Sequence, residues 1–244
     1  MPARSVIRCR TFARGVRDGL LLTMIREAPT RVVSAAERRA AVERLAVNCG
    51  VDLSHARQAA RIAGLLLDQL AEPLGIDPAD RALIEPAAIL ANVGYLINFD
   101  KHHKHSYHLI LNSELIGFER SDLLLVACVA RYHRGSAPKK KHPGYAEMNA
   151  TQRSRVAKMA AILRLALALD RTHQQQVEDL RCRVLEDRVE VTVKAAGDAE
   201  VDLWAARRKV DLFERVFGKQ VFFASVGQRS VDLPAEGVDG PAAG

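Results

Sequence analysis

Apolar residues recur every three or four positions over most of the chain up to residue 173, then every second position after residue 180. The first period is that of helices with one buried face, the second that of half-buried strands. Ser34-Ala35-Ala36-Glu37 has the form of a capping box, in which the serine oxygen accepts a first-turn N–H and the glutamate reaches back. Ala and Leu then recur at helical spacing to Cys49, and Gly50 stops the helix. Asp52 or Ser54 can cap a second helix through Leu70, closed by Pro73 and Gly75. Asp77-Pro78 starts a third, and Pro86 is expected to break or kink it. The apolar run 87–96 should be central. Helices are predicted over about 106–113 and 121–133, a basic loop over 135–148, and the longest helix over about 150–173.

Beyond residue 180, Cys182-Arg183-Val184-Leu185 and Val189-Glu190-Val191-Thr192-Val193 alternate, with Glu186-Asp187 as the turn of a hairpin. A helix is predicted around 200–216, with Trp204 and Phe213 as core, and a last strand over 221–224. The expected fold is mainly α, a helical bundle with a small C-terminal α/β subdomain. The boundaries read as a short N-terminal segment over 1–30, a helical domain over 31–178, the α/β subdomain over 179–225, and a disordered tail over 226–244.

With 244 residues, 48% of them hydrophobic, the chain can bury a sizeable core. Its 36 Lys and Arg against 29 Asp and Glu give a net charge of +7, which suits polyanionic partners. Cys9, Cys49, Cys128 and Cys182 are scattered and read as reduced thiols rather than a zinc site. No signal peptide is evident and no apolar run reaches the roughly 20 residues of a membrane span. A cytoplasmic protein without membrane contact is the expectation.

Six of the eight histidines (His102, His103, His105, His108, His133 and His142) fall within some forty residues, beside Lys101, Lys104, Arg131, Arg134 and the run Lys139-Lys140-Lys141. Such a cluster can hold a transition metal, contact phosphate, or lie in solvent without a partner. Adjacent lysines oppose a dication, whereas lysine and arginine make charge-assisted bonds to phosphate oxygens. The phosphate reading is preferred, with Lys101, His103, Lys104, His105, Arg131, His133 and Arg134 as its residues. No cofactor is expected. His55 reads as a satisfied, partly buried histidine, and Asp170-Arg171 as structural pairs at a helix end.

Several strings carry a resemblance: His103-Lys104-His105-Ser106, Asn112-Ser113-Glu114-Leu115-Ile116-Gly117-Phe118, Ala130-Arg131-Tyr132-His133-Arg134, Leu163-Arg164-Leu165-Ala166 and Leu169-Asp170-Arg171-Thr172-His173. In this order the chain resembles the C-terminal helical domain of the exopolyphosphatase / guanosine pentaphosphate phosphohydrolase (Ppx/GppA) family. Gly15-Val16-Arg17-Asp18-Gly19-Leu20-Leu21 resembles the end of that family's actin-like phosphatase domain. The resemblance implies a degenerate HD-type domain. Its metal-ligand positions fall on His55, on Ala91-Asn92 and on Leu167, so most of the ligand set is missing. It further implies polyphosphate or a guanosine polyphosphate as the bound anion, in a role accessory to phosphohydrolysis. Catalysis would come from an actin-like domain in trans, and the chain is then a stand-alone homologue or a fragment. The competing reading is a metal-dependent HD phosphohydrolase with relocated ligands drawn from His55, His102, His103, His105 and Asp170. A third is a structural dimerisation module, with a second copy of the chain as partner.

Overall fold

The computed structural model describes residues 33–226. The expectations for residues 1–30 and for the C-terminal tail past Val226, like Cys9, lie outside the described residues.

Helix α1 spans Ala35–Asn48 and ends at Gly50, whose positive φ of 72° suits a residue without a Cβ. Helix α2 spans Leu53–Leu70, capped by the Asp52 carboxylate, which accepts from the amides of Ser54 and His55. Its residues Ala59, Ile62, Ala63, Leu66, Leu67 and Leu70 are buried completely, which makes α2 the axis of the helical part.

A short 3-10 turn over Pro78–Asp80 leads into α3, Arg81–Ile89. Pro86 sits inside α3 and does not break it, which rules out one of the two outcomes the sequence suggested. Proline removes one rung of the hydrogen-bond ladder, and the buried Leu83, Ile84, Ala87 and Ala88 around it hold the helix together. The apolar run 87–96 also divides. Ala87 through Ala91 and Val93 are buried, but Tyr95, Leu96, Ile97 and Phe99 face outward.

Helix α4, His102–Leu111, begins about four residues before the sequence suggested, and α5 covers Arg120–Arg131. The longest helix, α6 (Ala150–Ala168), starts with a capping box between Asn149 and Gln152. It stops before the predicted His173 because competing partners take the next amides. The Asp170 carboxylate accepts from Gln175 N (2.8 Å), and Asp202 accepts from Thr172 N (2.8 Å).

Strands β1 (Val177–Val184) and β2 (Arg188–Ala195) form the predicted antiparallel hairpin. The predicted helix around 200–216 is two: α7 (Glu200–Arg207) and α8 (Asp211–Phe217). They carry the chain across to β3 (Gln220–Ser225), which pairs with β2 in parallel. The outer edge of β1 is covered by α2. Gln58 donates to the carbonyl of Val177, Arg61 to that of Glu178, and Gln69 to that of Leu180. Phe213 is fully buried as expected. Trp204, expected in the core, is 57% exposed instead.

Candidate functional site: a basic cleft

The end of α6, the α5–α6 connection and helix α7 enclose a cleft of about 480 Å³. It is lined by Arg134, Arg164, Arg171, Arg208 and Lys209, by His55, His102, His133 and His173, and by Asn92, Tyr95, Leu167 and Trp204. No acidic side chain lines it among the described residues.

Its walls are fixed from below. Ser106 Oγ donates to Ala91 O (2.7 Å) and accepts from Gly94 N (2.9 Å), pinning the turn that carries Asn92 and Tyr95 against α4. A Cβ at Gly94 would run into the carbonyl of His102 and the amide of Ser106, so only glycine allows this approach. The Tyr95 ring then lies 3.9 Å from that of His102. On the other side, the buried Asp202 on α7 accepts from both the amide and the hydroxyl of Thr172. That clamp holds α7 beside the turn after α6. Trp204 and Arg208, four residues apart, share one helix face toward the cleft.

The cations fall into two kinds. Arg164 is 4% exposed, and its guanidinium is fully used: it donates to Tyr132 O (2.8 Å) and Gly135 O (2.8 Å) and pairs with Asp211 (3.3 Å). It closes the end of α5 and ties it to α8. Arg134, Arg171, Arg208 and Lys209 are exposed and have no acidic partner among the described residues. Arg134 is steered by a chain of contacts. His133 Nδ1 faces Ala130 O at 2.6 Å, His133 Nε2 faces His102 Nε2 at 3.3 Å, and Arg134 Nη1 lies 3.4 Å from His102 Nδ1.

Burial pushes His133 down to about 3 and His103 to about 4, and lowers His102 as well.

The seven residues proposed from sequence separate in space. His133 and Arg134 line the cleft. Lys101 is exposed beside Asp100 (3.6 Å), Lys104 is exposed, and His105 is half-buried. His103 is half-buried with its Nδ1 unpartnered. Arg131 is buried with its guanidinium 5.3 Å from the Tyr107 ring centroid and 5.8 Å from that of Tyr132. None of these last five lines the cleft.

The metal-ligand positions inferred from the resemblance do converge. His55, Asn92 and Leu167 line the cleft, while Ala91 is wholly buried beneath it. His55 Nδ1 lies 2.8 Å from Asp170 Oδ2, and its ring stacks on His173 at 3.7 Å. Asp170 is thereby committed to His55 and Gln175. Among the described residues no group of three or more His, Cys, Asp or Glu side chains is arranged to hold a metal ion.

Sequence reasoning missed Arg171, Arg208, Lys209 and the aromatic pair Tyr95 and Trp204. The run Arg207-Arg208-Lys209 was a visible signal. Its meeting with Arg134 and Arg171 was not.

A second, larger cavity of about 830 Å³ lies between α1, α2 and α3, with Arg38, Arg39, Arg57, Arg61 and Arg81 on its wall. Among the described residues no helix is long and apolar enough to cross a membrane.

Comparison with known proteins gives one family. The description "Ppx/GppA phosphatase, domain III" matches residues 38–206. Proteins named guanosine-5'-triphosphate,3'-diphosphate pyrophosphatase are similar to the chain. That of Vibrio campbellii is 27% identical over 190 residues, covering 77% of this chain and 34% of that protein. That of Photobacterium profundum is 28% identical over 193 residues, covering 78% and 37%. The chain thus spans about a third of the length of these curated relatives.

Proposed function

Because the chain belongs to the Ppx/GppA phosphatase domain III family, we propose that its cleft binds a phosphate-rich anion, polyphosphate or a guanosine polyphosphate. The observation that carries this reading is the group Arg134, Arg171, Arg208 and Lys209. Four cations face one cavity with no carboxylate among them. Phosphate oxygens accept charge-assisted bonds from guanidinium forks, and a polyanion lets several such bonds form at once. The names of the similar pyrophosphatases agree with a guanosine polyphosphate as ligand.

In this reading the domain is a degenerate HD-type module that binds rather than hydrolyses. Ala91 and Leu167 offer no lone pair, and Asp170 already serves His55 and Gln175. Hydrolysis would be supplied by an actin-like phosphatase domain in trans. Orthophosphate release by this chain alone, with magnesium or manganese present, is expected to fall far below the roughly one per second of a working enzyme.

The test is a titration with tripolyphosphate and with long-chain polyphosphate at increasing salt. Affinity should fall linearly in log–log form, and Arg171→Ala should lower the slope by about one contact. Arg39→Ala, in the larger cavity, should leave it unchanged. No binding at low salt, or equal losses from both variants, refutes the reading.

A further inference from the structure

A polyphosphate chain has no apolar surface, yet the cleft exposes aromatic rings beside its cations. Trp204, the chain's one tryptophan, is 57% exposed on the cleft wall, and Tyr95, 43% exposed, lines the same space. The helical spacing of Trp204 would have suited a core residue. Instead α7 turns that face outward, because Asp202, Leu203 and Ala206 take the buried side. The Arg208 guanidinium lies 4.9 Å from the centroid of the Trp204 ring, so one side chain touches both the aromatic surface and the cationic cluster. Arg171 and Lys209 line the same cleft.

We propose that the ligand is a nucleoside polyphosphate whose base stacks on Trp204, with its phosphates on Arg171, Arg208 and Lys209. This rests on the anion-binding reading above and narrows it: an aromatic ring beside cations suits a ligand that is flat at one end and anionic at the other. Stacking on an aromatic ring accepts any base with a π-face, and Asn92 is the one carboxamide on the cleft wall, carrying both a donor and an acceptor. ATP and GTP should therefore both bind. Tyr95 supplies a second apolar contact.

Trp204 is its own reporter, since no other tryptophan contributes fluorescence. GTP and ATP should quench it on binding, whereas inorganic tripolyphosphate, of similar charge, should bind with little quenching. Trp204→Ala should weaken GTP binding roughly tenfold, the size of one base-stacking contact, and weaken tripolyphosphate binding far less. Trp204→Phe should retain most of the GTP affinity, measured by calorimetry. Circular dichroism confirms that both variants fold, as the exposure of the residue leads one to expect. If tripolyphosphate binds as tightly as GTP and Trp204→Ala alters neither, the stacking inference falls while the anion site stands. If neither ligand binds, both fall. An oligouridine that quenches Trp204 at lower concentration than GTP at physiological salt overturns the nucleotide in favour of single-stranded nucleic acid.

Discussion

The larger cavity is lined by five arginines, the smaller cleft by four arginines and a lysine. In the larger one nearly every arginine is answered. Arg39 and Arg57 share Glu43, Arg81 pairs with Asp68 and Glu85, Arg61 donates to the carbonyls of Val177 and Glu178, and Arg38 lies over the Phe118 ring. In the smaller one only Arg164 meets a carboxylate; Arg134 reaches His102, Arg208 lies over the Trp204 ring, and Arg134, Arg171, Arg208 and Lys209 have no acidic partner among the described residues. The comparison teaches that neither cavity volume nor a count of arginines marks an anion site. In the anion-binding reading, what would mark the site is charge that the fold brings together and leaves without a carboxylate, because only such charge can lower its energy further by taking up a phosphate.

The largest expected effect comes from reversing that charge. Arg171→Glu with Arg208→Glu should weaken tripolyphosphate binding by about 100-fold or more, from two lost charge-assisted contacts plus new repulsion. The matching pair Arg39→Glu and Arg57→Glu should change it by less than about threefold, the scale of an exposed pair. Similar losses from both pairs would erase the distinction between the cavities.

Arg164 tests whether an answered cation inside the cleft behaves as a structural group. Arg164→Met leaves the carbonyls of Tyr132 and Gly135 without their donor and should cost about 2 kcal/mol. A urea midpoint equal to wild type would show instead that its bonds are idle.

Acid should separate stability from binding. Burial holds His133 and His103 well below the ordinary histidine value, to about 3 and about 4. Above about pH 6.5 their contribution to stability is fully present. As pH falls below that, the unfolded chain takes up protons that the folded histidines refuse, so stability declines toward the folded values. Urea midpoints at pH 7.5, 6 and 5 should fall in that order. His133 takes up no proton in the folded state near neutral pH, so His133→Gln should leave the pH dependence of tripolyphosphate affinity between pH 7.5 and 6.5 unchanged. A loss of that dependence in the variant would mean that His133 protonates against the phosphates.

Glu43→Gln sharpens the comparison from the other side. It removes the carboxylate that answers Arg39 and Arg57, and a second, weak tripolyphosphate site should then appear by calorimetry. An unchanged single-site isotherm would show that releasing the charge is insufficient. The smallest effect is expected for Lys104→Ala, whose exposed side chain lies off the cleft wall. Its binding constant should move by less than about twofold.

Much of the helical frame was legible because it depends on local rules. Asp52 caps α2, Gly50 ends α1, and the period-two stretch from Cys182 to Val193 pairs as a hairpin, since capping, left-handed turns and alternation act over a few residues. Pro86 and the end of α6 were less legible. Their outcome turns on buried neighbours and on amide partners, the farther of which, Asp202, comes from α7.

The sequence by itself determined a mainly α chain with a late strand pair, an excess of positive charge and a cluster of histidines that pointed to phosphate. The resemblance implied that His55, Asn92 and Leu167 fall at metal-ligand positions, and these three line one cleft. Only the tertiary structure decided which cations meet in one place. Lys101 and Lys104 stay on the surface of α4's first turn and Arg131 is buried against Tyr107. Arg171, Arg208 and Lys209, distant from Arg134 in sequence, converge with it because Asp202 clamps α7 to Thr172. Burial likewise holds His133 and His103 far below the ordinary histidine value. Charge along a chain is a local property, but whether a charge is paired, buried or left open depends on what the fold packs against it.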